Sequence, residues 1–148
     1  MSVVMRHGET VIFSLQATDN AGNTATAISP PLTIDTTPPL ISSLSCNKYL
    51  SKARSHLSCA WETAVDEESP LDWVRIGLGT EQRTDDVLTF YGVRLTERTW
   101  SATIPDRVFD AAAAAVNEST TSVWVSLLVE NRVEEMSGEY VQVIAIYT

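Results

Sequence analysis

Two cysteines, Cys46 and Cys59, and two histidines, His7 and His56, are the side chains in this 148-residue chain best suited to chemistry. Their spacing restricts what that chemistry can be. Two cysteines thirteen apart with two distant histidines make no four-ligand zinc pattern. His56 lies in a polar stretch beside Ser55 and close to Ser58, but no Gly-x-Ser-x-Gly elbow or other nucleophile framework accompanies it. No glycine-rich loop is present to cradle a phosphate. The expectation is a non-enzyme with no catalytic residue, no cofactor and no resident metal. The acidic run Asp66, Glu67, Glu68 with Asp72, and Asp35 nearer the N-terminus, offers oxygens suited to calcium. That ion needs six to eight of them converging, and carboxylates in a turn usually face water. The spacing is not that of an EF-hand.

Four tryptophans supply the other candidate chemistry. Trp61 shares a strand face with Leu57 and Cys59 and is expected in the core. Trp73, Trp100 and Trp124 are the candidates for an exposed platform that would hold a glycan or a partner protein, the alternative being that loops and sheet rims cover them. Asn117-Glu118-Ser119 has N-glycosylation spacing, which makes Asn117 a candidate modification site in a eukaryotic, secreted setting.

The elements that must position these residues read as strands. Val11, Phe13, Leu15 and Ala17 alternate with mostly polar residues, the period of a half-buried strand. Asp19-Asn20-Ala21-Gly22-Asn23 then supplies turn chemistry. A second strand over Thr24–Asp35 is interrupted by Pro30-Pro31, which cannot donate to a ladder. Residues 35–39 end in Pro38-Pro39 and read as a semi-rigid linker. Further strands are expected over Leu40–Cys46, Leu57–Trp61, Trp73–Gly79, Val87–Val93, Trp100–Ile104, Ser122–Glu130 and Tyr140–Tyr147. The alanine-rich stretch Asp106–Val116 favours a short helix in a crossover. Cys46 and Cys59 fall inward on consecutive strands, which suits either a disulfide, worth about 3 kcal/mol for a loop of this size, or two buried thiols.

The chain also repeats itself. A shift of 112 residues lays Val11 on Val123, Ser14 on Ser126, Leu15 on Leu127, Asp19 on Asn131 and Ile34 on Ile146. Strand, turn, strand and module end recur in order, so residues 1–37 are expected to be the C-terminal hairpin of a truncated repeat plus linker, and residues 38–148 one complete repeat.

Asp19-Asn20-Ala21-Gly22-Asn23-Thr24 followed by Ile34-Asp35-Thr36-Thr37-Pro38-Pro39 resembles the closing hairpin and linker of tandem immunoglobulin-like and fibronectin type III-like repeats. Leu57-Ser58-Cys59-Ala60-Trp61 resembles strand B of the fibronectin type III fold with its buried tryptophan. Asp66–Pro70 and Trp73–Thr80 resemble the approach to strand C, and Val123–Asn131 resembles strand F, with Val123 or Trp124 standing where the family has a tyrosine. The resemblance implies an all-β antiparallel immunoglobulin-like β-sandwich, preceded by a β-hairpin from an incomplete upstream repeat. It implies an extracellular or cell-surface spacer or adhesion module. The alternatives are a carbohydrate- or protein-binding module using exposed tryptophans, or an accessory domain of a secreted enzyme.

Charge and hydropathy fit that setting. Ten Lys and Arg against nineteen Asp and Glu give a net charge of −9 and a pI near 4.5, which argues against sequence-independent binding to nucleic acid. No apolar run has the length of a membrane span, so no membrane insertion is expected from this segment. The N-terminus lacks signal-peptide layout, so an export signal would lie ahead of Met1. Expected partners are other repeats of the same chain and protein or glycan ligands.

Overall fold

A computed structural model of the chain describes residues 3–114 and 120–146. Two compact units divide it, Met1–Thr37 and Pro38–Thr148.

The first unit contains β1 (Thr10–Val11), β2 (Ser14–Thr18), β3 (Thr24–Ile28) and β4 (Leu32–Thr33). β2 and β3 pair as an antiparallel hairpin, with Leu15 opposite Ala27 and Thr18 opposite Thr24. Asp19 organises the turn: its Oδ1 accepts the backbone N–H of Ala21 and of Asn23, both at 2.9 Å, and its Oδ2 accepts the Asn23 side-chain amide at 2.8 Å. These bonds, the Asn23 amide first, hold the Asp19 carboxyl below its ordinary value. Gly22 closes the turn at φ 87°, where a side chain would be strained. Pro30-Pro31 break the second strand as expected, since β3 ends at Ile28 and pairing resumes only at Leu32. Beyond the break the ladder is one residue out of step, with Val11 opposite Leu32 where the hairpin sets Ser14 opposite Ile28.

The second unit runs β5 (Leu40–Ser42), β6 (Ser45–Cys46), β7 (Tyr49–Ser51), β8 (His56–Ala60), β9 (Thr63–Val65), β10 (Leu71–Gly79), β11 (Leu88–Val93), β12 (Thr99–Thr103), α1 (Asp106–Ala114), β13 (Thr120–Asn131) and β14 (Met136–Ile146). The fold is all-β, with several antiparallel sheets, one of them a curled five-stranded sheet. That sheet has the order β11-β10-β13-β14-β7, while β12-β8-β6 form a three-stranded sheet and β5-β9 a two-stranded one. Among the described residues of this unit the strand pairings are antiparallel, except that β7 runs parallel to β14.

Period-2 alternation decides what is buried. Leu57 and Cys59 on β8, Val74, Ile76 and Leu78 on β10, Val123, Val125, Leu127 and Val129 on β13, and Val143 and Ala145 on β14 all join one hydrophobic cluster, together with Trp61. Helix α1, expected over Asp106–Val116, spans Asp106–Ala114 and adds Val108 and the fully buried Phe109 to that cluster. Burying a ring of that size contributes about 2–3 kcal/mol.

Four expectations need correction. The strand read through Val11, Phe13, Leu15 and Ala17 is not continuous or half-buried: β1 ends at Val11, β2 begins at Ser14, and Phe13, Leu15 and Ala17 are exposed, because no second layer covers that face among the described residues. Leu40–Cys46 is not one strand: Ser43 takes a positive φ of 59°, and the chain leaves β5, paired with β9, to enter β6, paired with β8. Asn47–His56 is not merely a polar connection, because it holds β7, whose Leu50 is buried. The acidic segment is preceded by an unforeseen strand, β9.

Candidate functional site

The cysteines meet. Cys46 and Cys59 are directly opposed on β6 and β8 and form a disulfide. The next strand over, β12, sets Trp100 opposite Cys59, so the bridge and the indole lie in one cross-strand row on the face turned to the core. Trp100 is half-buried and packs against that core. Reduction, read as two free thiols by alkylation under denaturing conditions, should lower the stability of this unit by about 3 kcal/mol, because the bridge closes a loop of thirteen residues. A loss below about 0.5 kcal/mol would show that the bridge is idle.

The three candidate platform tryptophans do not assemble into a platform. Trp100 faces the core from the three-stranded sheet. Trp73 and Trp124 point to the other face of the five-stranded sheet, but Trp124 stands opposite Gly79 and Trp73 opposite Glu130, which separates them by six residues of β10, roughly 20 Å. All three rings are half-buried. Trp73 is covered by the Arg75 guanidinium, 4.2 Å from its ring centroid.

Outward-facing therefore does not mean open on this sheet. Phe90 lies over Gly77, where an added Cβ would come within 2.7 Å of the ring. The segment from Thr80 to Asp86 lies over Gly79, where a Cβ would collide with the hydroxyl and backbone carbonyl of Thr84. Arg83 fastens this segment through its backbone N–H to Ser126 Oγ at 2.9 Å and through its Nε to the Tyr140 hydroxyl at 2.5 Å. Asp86 holds its base by accepting the Thr80 backbone N–H at 2.8 Å and the Thr80 hydroxyl at 2.9 Å; these bonds, the backbone one first, lower its carboxyl below the usual value. The signal in the sequence was glycine inside strands, which marks close approach of another segment.

A side opening remains between the edge strands β11 and β12. It is a groove of about 430 Å³ in which Tyr91 and Trp100 are the rings and Arg94 and Glu97 the charges. Tyr91 is 62 % exposed. This pairing of an exposed and a half-buried aromatic with one cation and one anion is suited to a planar or ring-shaped group.

The acidic segment has a structural task. Asp66 Oδ1 accepts the backbone N–H of Glu68 at 3.1 Å and of Ser69 at 2.9 Å, and its Oδ2 accepts the Asn131 side-chain amide at 2.9 Å. The fully buried Asn131 in turn accepts the backbone N–H of Val133 at 3.1 Å and of Glu135 at 2.9 Å on its Oδ1. The pair thus ties the approach to β10 to the turn between β13 and β14. His56 is exposed on β8, while His7 accepts the Thr36 backbone N–H on Nδ1 at 3.1 Å. Asn117 lies outside the described residues. Among the described residues no helix is long and apolar enough to cross a membrane.

Neither a scan against protein-family models nor a search of the curated proteins finds a match to the chain.

Proposed function

We propose that the chain is a non-catalytic spacer or adhesion segment from a tandem array of immunoglobulin-like, fibronectin type III-like β-sandwiches outside the cell. The observation that carries this reading is one hairpin built twice, 112 residues apart. Ser14 opposes Ile28 on β2 and β3 as Ser126 opposes Tyr140 on β13 and β14, and Thr18 opposes Thr24 as Glu130 opposes Met136. The turns agree as well. Asp19 accepts from the second and fourth residues after it, as Asn131 does, and the third residue takes a positive φ in each, 87° at Gly22 and 65° at Glu134.

The division of strands supports the family reading. β8 and β12 on one sheet with β10, β13 and β14 on the other follows the separation of strands B and E from C, F and G in immunoglobulin sandwiches. The disulfide supports an oxidising, extracellular setting. In such an array, self-contained modules joined by proline-stiffened connections such as Thr36-Thr37-Pro38-Pro39 hold a distal element away from a surface.

Deleting residues 1–37 tests the module reading. The remaining 38–148 should keep a sharp two-state melt at an unchanged midpoint; unfolding on deletion would show a single larger domain and remove the array. A second reading, a glycan- or protein-binding module, is favoured by the Tyr91 and Trp100 groove. Ligand capture that disappears in Tyr91→Ala without a change in melting would put binding ahead of spacing.

A further inference from the structure

The groove between β11 and β12 takes one ring from each of two sheets. Tyr91 lies opposite the fully buried Ile76 of β10 and so stands on the inner face of the five-stranded sheet. Trp100 lies opposite the buried Cys59 and stands on the inner face of the three-stranded sheet. β11 and β12 are the edge strands of those sheets, which leaves Tyr91 exposed although its side is the core side. The two rings line a groove of about 430 Å³, within the range of small-ligand sites.

The polar groups come from the connection between the two strands. The Arg94 carbonyl accepts the Glu97 N–H at 2.9 Å, and Arg98 Nη1 donates to the Leu95 carbonyl at 2.9 Å and the Glu97 carbonyl at 2.8 Å. The Arg98 carbonyl accepts the Trp61 N–H at 3.0 Å, which ties this connection to a core residue. The backbone under Arg94 and Glu97 is thus fixed. Their guanidinium and carboxylate, and the Tyr91 hydroxyl, form no hydrogen bond or ion pair among the described residues. Trp100 is held too, beside the Cys46–Cys59 bridge. A site with fixed walls and unengaged polar groups loses little to ordering when it binds.

Two rings suit a ligand with a flat, weakly polar face. A guanidinium only donates and a carboxylate only accepts, so a group that meets both must do both, as a hydroxyl does. The two charges cancel within the groove, and the net charge of −9 on the chain disfavours an anionic ligand. A cationic side chain would meet Arg94, and a plain aromatic one would leave both charges unanswered. The geometry points to a binding site for a neutral pyranose, its C–H face laid against Tyr91 and Trp100 and its adjacent hydroxyls shared between Arg94 and Glu97. This rests on the glycan- or protein-binding reading above and adds the ligand's chemistry, its neutrality and the residues that read it.

The test titrates the whole chain with the methyl glycosides of glucose, galactose, mannose and N-acetylglucosamine, and with a tetrasaccharide of each, to about 10 mM, followed by amide and indole NMR. At least one sugar should shift the signals of Tyr91, Gly92, Thr99 and Trp100 with a Kd of about 1 mM or tighter. Tyr91→Ala, Arg94→Ala and Glu97→Ala change exposed residues, so each should keep the melting midpoint while weakening that binding at least about fivefold. A sulfated form of the bound sugar should bind less tightly. Unchanged affinity in Arg94→Ala and Glu97→Ala, or tighter binding of the sulfated form, overturns the proposal. Shifts at the groove from N-acetyl-argininamide or N-acetyl-phenylalaninamide, with none from any sugar, overturn the pyranose and leave the groove a protein-binding site. Silence from every probe removes the binding reading itself.

Discussion

Trp61→Ala should lower the stability of the second unit by about 3–5 kcal/mol, a large part of the roughly 5–15 kcal/mol that holds a domain folded. The ring is 3 % exposed and belongs to the cluster that joins β8 to the five-stranded sheet, so truncation removes transfer energy and leaves a cavity bounded by two sheets that cannot both collapse into it. Its backbone N–H donates to the Arg98 carbonyl at 3.0 Å and is kept in the variant, which confines the loss to the side chain. Trp61→Phe separates the ring from its polar edge. The indole Nε1 is buried with no hydrogen-bond partner among the described residues, so the phenyl forfeits volume but no hydrogen bond and should cost well under half as much. Urea melts of both variants, followed by fluorescence and far-UV dichroism together, decide it. A loss below about 1 kcal/mol for the alanine variant would place Trp61 outside the core and undo the face assignment of β8.

That face assignment was legible because β8, β10 and β13 each turn one side to the hydrophobic core, which imposes a period of two on the large apolar residues. Leu57, Cys59 and Trp61, or Val123, Val125, Leu127 and Val129, reveal their common side without any knowledge of their partners. The elements that escaped are those whose existence is decided elsewhere. β7 is three residues long and exists because the edge of β14 accepts it in parallel; nothing local in Tyr49-Leu50-Ser51 specifies that. The break in Leu40–Cys46 turns on Ser43 adopting a left-handed conformation, a role that glycine or asparagine would have advertised and serine does not.

The candidate site was legible in parts for the same reason. The inward phase of Cys46 and Cys59 put two sulfurs on one side, but whether they bridge depends on direct opposition across β6 and β8, a matter of register rather than of pattern. The tryptophans show the converse. Alternation sets Trp124 on the face opposite Val123, Val125 and Leu127, as found, but the step from outer to available fails because Phe90, Arg83 and Thr84 lie on that face. Gly77 and Gly79 carried this information as missing side chains. The groove at Tyr91 was not foreseen, since it is formed by the edges of two sheets whose strands are distant in sequence.

The turn at Asn131 ties these levels together, and Asn131→Ala should cost about 4 kcal/mol. Its Oδ1 receives two backbone N–H groups and its amide donates to Asp66, so alanine strands a half-buried carboxylate oxygen and two donors at roughly 1–3 kcal/mol each, partly relieved by water at the exposed turn. Asn131→Asp discriminates among these bonds. Asp19 shows that a carboxylate closes the same turn, so the two backbone bonds should survive. The bond to Asp66 cannot: the donor becomes an acceptor, and two carboxylates face each other at hydrogen-bond distance. Like charges so close make the folded state of this variant bind a proton more tightly than the unfolded chain does. Stability that is present at low pH is then lost as the pH rises through the carboxylate range. Relative to the native protein, Asn131→Asp should therefore be least stable near neutrality and recover on acidification, whereas Asn131→Ala should show a deficit of similar size at both ends. Denaturant melts of the three proteins at pH 7 and pH 4 measure this. A deficit in Asn131→Asp that does not shrink at the lower pH would mean that Asp66 and Asn131 are not coupled and that the turn alone fixes the end of β13.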